Sequence, residues 1–410
     1  MERRDFVALM AAVLETRTWE RGTRNSRATP VPTSAFPLPR SQEPSLSPAT
    51  ISRRIARAQA ELTTRKWDCL IATPGANYRY FTGSNPGRSE RLIALVLPVG
   101  GDPAIICPAF EVGRIKARTP IADVTGWEER DDPFKLVTKA VRKHKVRGTG
   151  TIALDSSTDY ATFLGIKDAL GGWRFEDARP VTERLRMVKT GEEVDLVRRA
   201  IAITEDALAA TFAALAPGTS EQDIARFLAA EMARRGGDGD GLVQFGPSSA
   251  FPHGAPAETT LAPEMPVLID CGCRVAGYTS DITRTVWFGD RPSEEFKTIF
   301  NLLHDAQTAA IALGRPLLTQ GQELDRAARQ VIAAAGYGPQ FTHRLGHGFG
   351  LEVHEPPYLV DGSETRLEPG MTFTIEPGVY QPGKFGVRIE DDCVMTETGI
   401  EVLSHRPAKI

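Results

Sequence analysis

Four carboxylates interrupt apolar, β-type sequence in the second half of this chain. Asp270 lies in Val267-Leu268-Ile269-Asp270-Cys271-Gly272, and Asp281 in Tyr278-Thr279-Ser280-Asp281-Ile282-Thr283-Arg284. Glu376 lies in Thr374-Ile375-Glu376-Pro377-Gly378, and Glu390 in Val387-Arg388-Ile389-Glu390-Asp391. An ionised acid buried among Val, Leu and Ile without a partner is strongly destabilising, so each needs compensation. Glycine-containing connectors within each pair suggest hairpins that set the acids side by side, and two such anions repel unless a cation lies between them. Between the pairs stands His343-Arg344-Leu345-Gly346-His347-Gly348-Phe349-Gly350-Leu351-Glu352-Val353-His354-Glu355, whose glycines let the backbone approach a ligand closely. Two Asp, two Glu and His347 are mostly hard oxygen donors. That set suits a pair of Mn, Co or Zn ions better than a thiolate site would. Two ions about 3.5 to 4 Å apart can activate a water and polarise a carbonyl, which is equipment for metal-assisted hydrolysis.

Four of the seven histidines, His253, His343, His347 and His354, fall inside this region. His144, His304 and His405 sit in no motif and read as packing or surface groups. Cys271 and Cys273 flank Asp270, but alternation along a strand points them to the opposite face, where they act as small hydrophobes.

The elements that must hold these residues follow from periodicity. Ile51 to Lys66 reads as a helix, Asp68 to Thr73, Leu92 to Pro98, Ala104 to Cys107 and Thr151 to Leu154 as strands, and Pro133 to His144 as a helix. Strands alternating with helices imply an α/β layer. Beyond Pro180 come helices over Glu192 to Leu215 and Ser220 to Arg235, the second with Ser220 as N-cap and Asp223 in capping-box position. A β-rich stretch, helices over Ser293 to Leu313 and Gly321 to Ala335, and a second β-rich stretch complete a two-fold rhythm. The region from about Gly22 to Pro48 is rich in Pro, Ser, Thr and Arg and reads as an unstructured tail. Arg3-Arg4 before an apolar run has the outline of a twin-arginine export signal without its cleavage site.

Composition narrows the function. The chain has 410 residues with 41% hydrophobic and 25% charged, values of a soluble globular protein and not of a disordered or membrane-spanning one. A net charge of −3 without a long basic block gives no drive toward nucleic acid or anionic lipid. Five scattered cysteines, odd in number, argue against a disulfide framework and for a reducing, cytoplasmic compartment.

The order Asp270, Asp281, His347, Glu376, Glu390, within LIDCG, TSDITRT, GHGFGLEVHE, TIEPGVY and VRIEDD, resembles the metallopeptidase family that contains methionine aminopeptidase, aminopeptidase P and prolidase. The resemblance implies an α+β fold: a pita-bread catalytic domain over residues 183–410, preceded by a smaller α/β creatinase-like domain over 49–182 and an extension over 1–48. It implies that Asp270 binds one metal, that Asp281 and Glu390 bridge both, and that His347 and Glu376 complete the second. Glu376 would then also shuttle the proton. Manganese is the expected ion, with cobalt and zinc as substitutes. His253 would lie over the substrate and His354 would touch the scissile carbonyl. His343 and Arg388, together with the N-terminal domain, match the proline-directed branch, either as substrate contacts or as groups that orient His347 and Glu390.

The expected activity is cleavage of Xaa-Pro dipeptides by a prolidase, as a homodimer. The alternatives are aminopeptidase P acting on longer peptides and, more remotely, a non-catalytic pita-bread binding module. Creatinase chemistry is disfavoured, because that enzyme lacks several of the five ligands. One departure stands out. Some prolidases carry a basic residue for the substrate carboxylate shortly after the His-Glu pair, whereas here Glu355 is followed by Pro356-Pro357-Tyr358. Carboxylate recognition then falls to Arg388 or to a residue elsewhere.

Overall fold

The computed structural model describes residues 46–144 and 148–410; the anticipated tail up to residue 45 and Arg3-Arg4 lie outside the described residues, as does the side chain of His144. The described chain divides into two compact units, the first ending at Glu192 and the second running from Glu193 to Ile410.

The first unit opens with helix α1 (Pro48–Arg65). Its start corrects the compositional reading, which placed Ser47 and Pro48 in the tail. The Ser47 hydroxyl accepts from Thr50 N, and Pro48 occupies the first turn, where no amide hydrogen is needed. There follow β1 (Cys69–Ala72), α2 (Ala76–Thr82), β2 (Ala94–Pro98), β3 (Ala104–Pro108), α3 (Val112–Lys116), β4 (Asp123–Trp127), α4 (Pro133–His144), β5 (Thr151–Leu154), α5 (Tyr160–Ala169), β6 (Arg174–Asp177) and α6 (Arg179–Met187). The strands form one six-stranded sheet in the order β4-β3-β2-β1-β5-β6. Parallel pairs lie toward both edges and antiparallel pairs at β1-β2 and β2-β3. Ile71, Val96, Ile106, Val137, Ile152 and Trp173 belong to its core.

The second unit contains α7 (Gly191–Ala214) from Glu193 onward, α8 (Glu221–Arg234), β7 (Asp238–Phe245), β8 (Met265–Val275), β9 (Tyr278–Thr279) and β10 (Ile282–Phe288). It continues with α9 (Glu294–Leu313), α10 (Gly321–Ala334), β11 (Gly346–Gly348), β12 (Glu355–Leu359), β13 (Thr372–Ile375), β14 (Gly378–Gln381), β15 (Phe385–Arg388), β16 (Asp391–Met395) and β17 (Ile400–Val402). A sheet ordered β10-β8-β7, with β9 on β8, follows the first helix pair; a sheet ordered β12-β11-β13-β16-β17 follows the second. The two-fold rhythm of the sequence is therefore a rhythm of layers. Helix α8 packs on β7, and α9 packs on α10 through Ile299, Leu303, Leu324 and Ala328, all fully buried.

The helix starts are locally specified. Ser293 caps α9 by accepting from Phe296 N at 3.2 Å, with Glu294 and Glu295 favourably placed in the first turn. Ser220 caps α8 in the same way, its hydroxyl accepting from Asp223 N at 3.1 Å and donating to the Asp223 carboxylate at 2.9 Å. Two glycines permit strand contacts that a side chain would forbid. A Cβ on Gly272 would collide with the Ser280 carbonyl oxygen, and one on Gly346 with that of Thr374. Gly272 lies two residues from Asp270, and Gly346 directly precedes His347. Among the described residues no helix is long and apolar enough to cross a membrane.

These contacts set an order of sensitivity. Ser293→Ala should cost about 1 kcal/mol, a cap loss. Gly272→Ala, which must displace backbone, should lower the unfolding midpoint further than Ser293→Ala. Equal midpoints in a urea titration would contradict the close approach.

Candidate metal centre

Three of the four acids sit at a strand end and the fourth lies inside a strand. Asp270 is within β8 opposite Thr283, Asp281 directly precedes β10, Glu376 directly follows β13, and Glu390 directly precedes β16. The hairpin expectation holds for the Glu pair in simple form, with β14 and β15 closing Gly378 onto Arg388. For the Asp pair the connection is more elaborate, because β9 first turns back on β8. The two sheets are then stitched together at the acids. Glu390 N donates to Thr283 O at 3.1 Å, Asp281 N to Asp392 Oδ2 at 3.0 Å, and the Thr285 hydroxyl to Arg388 O at 2.8 Å.

The result is a set of overlapping donor groups. Potential ligand atoms of Asp270, Asp281 and Glu390 lie within 4.8 Å of one another, as do those of His347, Glu376 and Glu390, and those of Asp281, His347 and His354. Glu390 belongs to two groups and so does Asp281, which leaves room for two adjacent positions that share these acids. His347 is oriented by its own backbone neighbourhood. Its Nδ1 lies 3.1 Å from Gly348 O, and a carbonyl only accepts, so Nδ1 carries the proton and the lone pair of Nε2 faces inward. That Nε2 is 3.2 Å from Glu376 Oε1 and 3.6 Å from Asp281 Oδ2.

Electrostatics argue that this set is built for cations. Asp281, Glu390 and His347 are 9%, 2% and 3% exposed. Burial, and then the charges of Asp270 and its other acidic neighbours, push the Asp281 carboxyl far above the usual range; burial, Asp281 and Glu376 do the same to Glu390. Glu376 differs. Burial raises it too, but the hydrogen bond and charge that His347 supplies when its Nε2 is protonated, together with His343 and Arg388, bring it down to about 2. Arg388 is the one guanidinium bonded directly to any of the four acids among the described residues, and it is committed to Asp270 at 2.6 Å. The remaining negative charge fits divalent cations held by oxygen ligands with one imidazole.

Arg388 organises the rim. Its Nη1 donates to the Tyr380 hydroxyl at 2.7 Å, its Nε to the Thr283 hydroxyl at 3.0 Å, and Thr283 in turn donates to Glu390 Oε2 at 2.5 Å. His343 Nδ1 donates to Arg344 O at 2.7 Å, so Nε2 accepts from the Tyr380 hydroxyl at 2.8 Å. His343 and Arg388 are thus joined through Tyr380, and neither touches His347 or Glu390 directly. His343 Nδ1 approaches Glu376 Oε2 only to 4.0 Å. Tyr380 and Thr283 escaped the sequence reading, although both lie inside its quoted phrases, because only the fold shows that their hydroxyls link charged groups.

The remaining expected residues occupy the mouth. His354 packs edge-on against His347, with ring centroids 4.2 Å apart, and is partly exposed. His253 is exposed on a loop anchored where Pro252 O accepts from Arg388 at 3.4 Å. Cys271 and Cys273 are buried free thiols. His405 bonds Glu205 at 3.0 Å and lies away from the acids, while partial burial holds the His304 imidazole below its ordinary range.

The second unit matches the model of metallopeptidase family M24 over residues 195–397, and the first matches the creatinase/prolidase N-terminal domain over 54–188. An uncharacterized peptidase of Staphylococcus aureus is 33% identical over 358 residues, 86% of this chain and 99% of its own. The chain belongs to metallopeptidase family M24. Its two domains are accordingly the creatinase-like domain and the pita-bread catalytic domain expected from the sequence, and the chain is a metal-dependent peptidase. Among solved structures it is similar to a dipeptidase, PepE, from Mycobacterium ulcerans, with 37% identity, TM-score 0.81, and coverage of 90% of this chain and 99% of that one. It is also similar to a prolidase from Thermococcus sibiricus (31%, TM-score 0.82, 88% and 98% covered) and an X-Pro aminopeptidase from Thermotoga maritima (30%, TM-score 0.78, 87% and 98% covered).

The rim imidazoles give a pH signature. Burial, then the charges of His347 and Arg344, lowers His354 from 6.5 to about 4, and burial lowers His343 as well. The folded chain therefore refuses protons that the unfolded chain binds, so this contribution is complete above pH 6.5 and is lost as pH falls toward 4. The melting temperature should drop across that window, and His354→Gln should make the drop shallower. An unchanged slope in the variant would contradict the assignment.

Proposed function

We propose that this peptidase hydrolyses the bond between any residue and proline, as a dipeptidase, using two divalent ions held by Asp270, Asp281, His347, Glu376 and Glu390. The observation that carries the reading is the sharing of Glu390 and Asp281 between donor groups whose atoms lie within 4.8 Å. In this reading Asp270 serves one ion, Asp281 and Glu390 serve both, and His347 with Glu376 serves the other. Manganese suits the oxygen-rich set, and cobalt or zinc would also fit. When bound, the ions supply an activated water and Lewis-acid polarisation of the scissile carbonyl.

The chain's own residues do the rest. Glu376 accepts a proton from the attacking water and passes it to the proline nitrogen. His354, neutral at pH 7, offers an imidazole hydrogen toward the carbonyl oxygen from the mouth, and His253 closes over the substrate. Arg388 holds Asp270 in place, and Tyr380 locks Arg388 to His343, so the donors are preorganised before substrate arrives. The bond before proline carries no N–H, so a site that grips the carbonyl oxygen and the ring loses nothing there.

Dipeptidase action is favoured by the similarity to a dipeptidase and a prolidase and by the tight β14-β15 hairpin, whose pairing runs to Gln381 and Phe385 and leaves a short turn. The X-Pro aminopeptidase at 30% identity supports the second reading, removal of a residue from longer peptides. We place the enzyme in the cytoplasm as a homodimer acting on short peptides, a proposal that rests on the buried free thiols and on the resemblance.

Elemental analysis after loading with Mn should find two ions per chain, and a chelator should abolish hydrolysis until Mn is restored. Thr283→Val removes the hydroxyl that bonds both Glu390 and Arg388 and should weaken metal affinity or activity about 10- to 100-fold with the fold retained. Normal affinity and rate would mean that those hydrogen bonds do not shape the site. With Mn present, Ala-Pro should be cleaved much faster than Ala-Pro-Ala; the reverse order would establish the aminopeptidase.

A further inference from the structure

Arg388 was the sequence's candidate for holding the substrate carboxylate, and the structure removes it from that role. Every nitrogen of its guanidinium is engaged, with Asp270, Tyr380, Thr283 and Pro252 O, and the residue is 3% exposed. A dipeptide still presents a negative charge close to four acids, so an uncommitted cation is required nearby.

Arg344 meets that requirement. Its guanidinium lies over the Tyr358 ring, 4.7 Å from the centroid, and makes no hydrogen bond or ion pair among the described residues. Tyr358 is the direct partner of His347 in the β11-β12 ladder, so the two side chains share a sheet face. Arg344 therefore sits on the face of the metal-centre imidazole. Its charge acts on His354, which puts it one neighbour beyond that rim group. The backbone beneath it is fixed on both sides. Leu345 N donates to Asp325 Oδ1 at 2.9 Å, Arg329 donates to His343 O at 2.9 Å, and His343 donates to Arg344 O. A half-buried arginine on a rigid stem, seated over an aromatic ring and with its donors unused among the described residues, is arranged to receive a carboxylate.

We propose that Arg344, seated on Tyr358, binds the free carboxylate of the Xaa-Pro substrate and thereby restricts the enzyme to dipeptides. Tyr358, which stands where a charged residue was missed, supports the charge instead of supplying it. In a dipeptide the carboxylate carbon lies two bonds, about 2.5 Å, beyond the proline nitrogen. In a longer peptide an uncharged amide occupies that place and leaves the guanidinium unpaired.

This inference rests on the Xaa-Pro reading, and the test separates the two. Ala-Pro and Ala-Pro amide differ only in the charge that Arg344 would receive. The wild-type Mn enzyme should prefer Ala-Pro in kcat/KM. Arg344→Gln should reduce that preference roughly tenfold or more, the range for hydrogen bonds to charged groups, chiefly through KM. Arg344→Lys should restore part of it, and Tyr358→Leu should reduce it with the arginine still present. A wild-type enzyme that treats acid and amide alike overturns the inference without recourse to any variant, and so does an Arg344→Gln enzyme with the wild-type preference. A wild-type enzyme that cleaves neither substrate, nor any other Xaa-Pro peptide, overturns the function itself.

Discussion

Mutual repulsion among carboxylates that cannot reach water is the constraint on which the catalytic unit depends. Asp281 and Glu390 are almost fully buried, and burial together with the charges of neighbouring acids raises the proton affinity of both. Hydrophobic packing alone would expel them or neutralise them. They are held because two separate sheets converge there through backbone hydrogen bonds, with Glu390 N on Thr283 O and Asp281 N on an Asp392 oxygen. The fold thus supplies the proximity, and divalent cations relieve its cost. The peptidase chemistry follows from the same arrangement, since a centre that needs positive charge to exist is one that activates water when the charge is present.

Around this core, uncharged hydroxyls do the connecting. Thr283 and Tyr380 carry Arg388's influence to Glu390 and His343, so a single guanidinium orients acids and imidazoles on both sides of the mouth. A second buried system behind the acids, in which Arg284 and Gln307 bond Asp391, ties β10, α9 and β16 together without facing the cavity of donors. Dividing the work in this way leaves His253 and His354 exposed while the acids and His347 are held in place.

Much of this was legible in the linear chain. An acid inside Val-Leu-Ile sequence announces its own need for a partner, and the spacing of Asp270, Asp281, His347, Glu376 and Glu390 within their phrases identified the family. Helix boundaries were legible where a cap residue marks them, as at Ser220 and Ser293, because capping is a contact between residues three apart. Ser47 was misread for the complementary reason: its surroundings look like tail, and only the helix it caps gives it a role. Arg388 was recognised as a site residue with two open roles, since a sequence shows that an arginine is present without showing which acceptors already occupy it.

The sequence by itself determined the donor types, their order and the two-layer rhythm of helices and strands, because these depend on residue chemistry and on contacts short in chain distance. Tertiary structure alone decided which donors come within reach of one another, which hydroxyls join Arg388 to His343 and Glu390, and that among the described residues Arg388 is paired and Arg344 is not. Those outcomes join residues such as Thr283 and Glu390, 107 positions apart, and a hydrogen bond or a stacked cation exists only when both partners have been delivered to the same few ångströms.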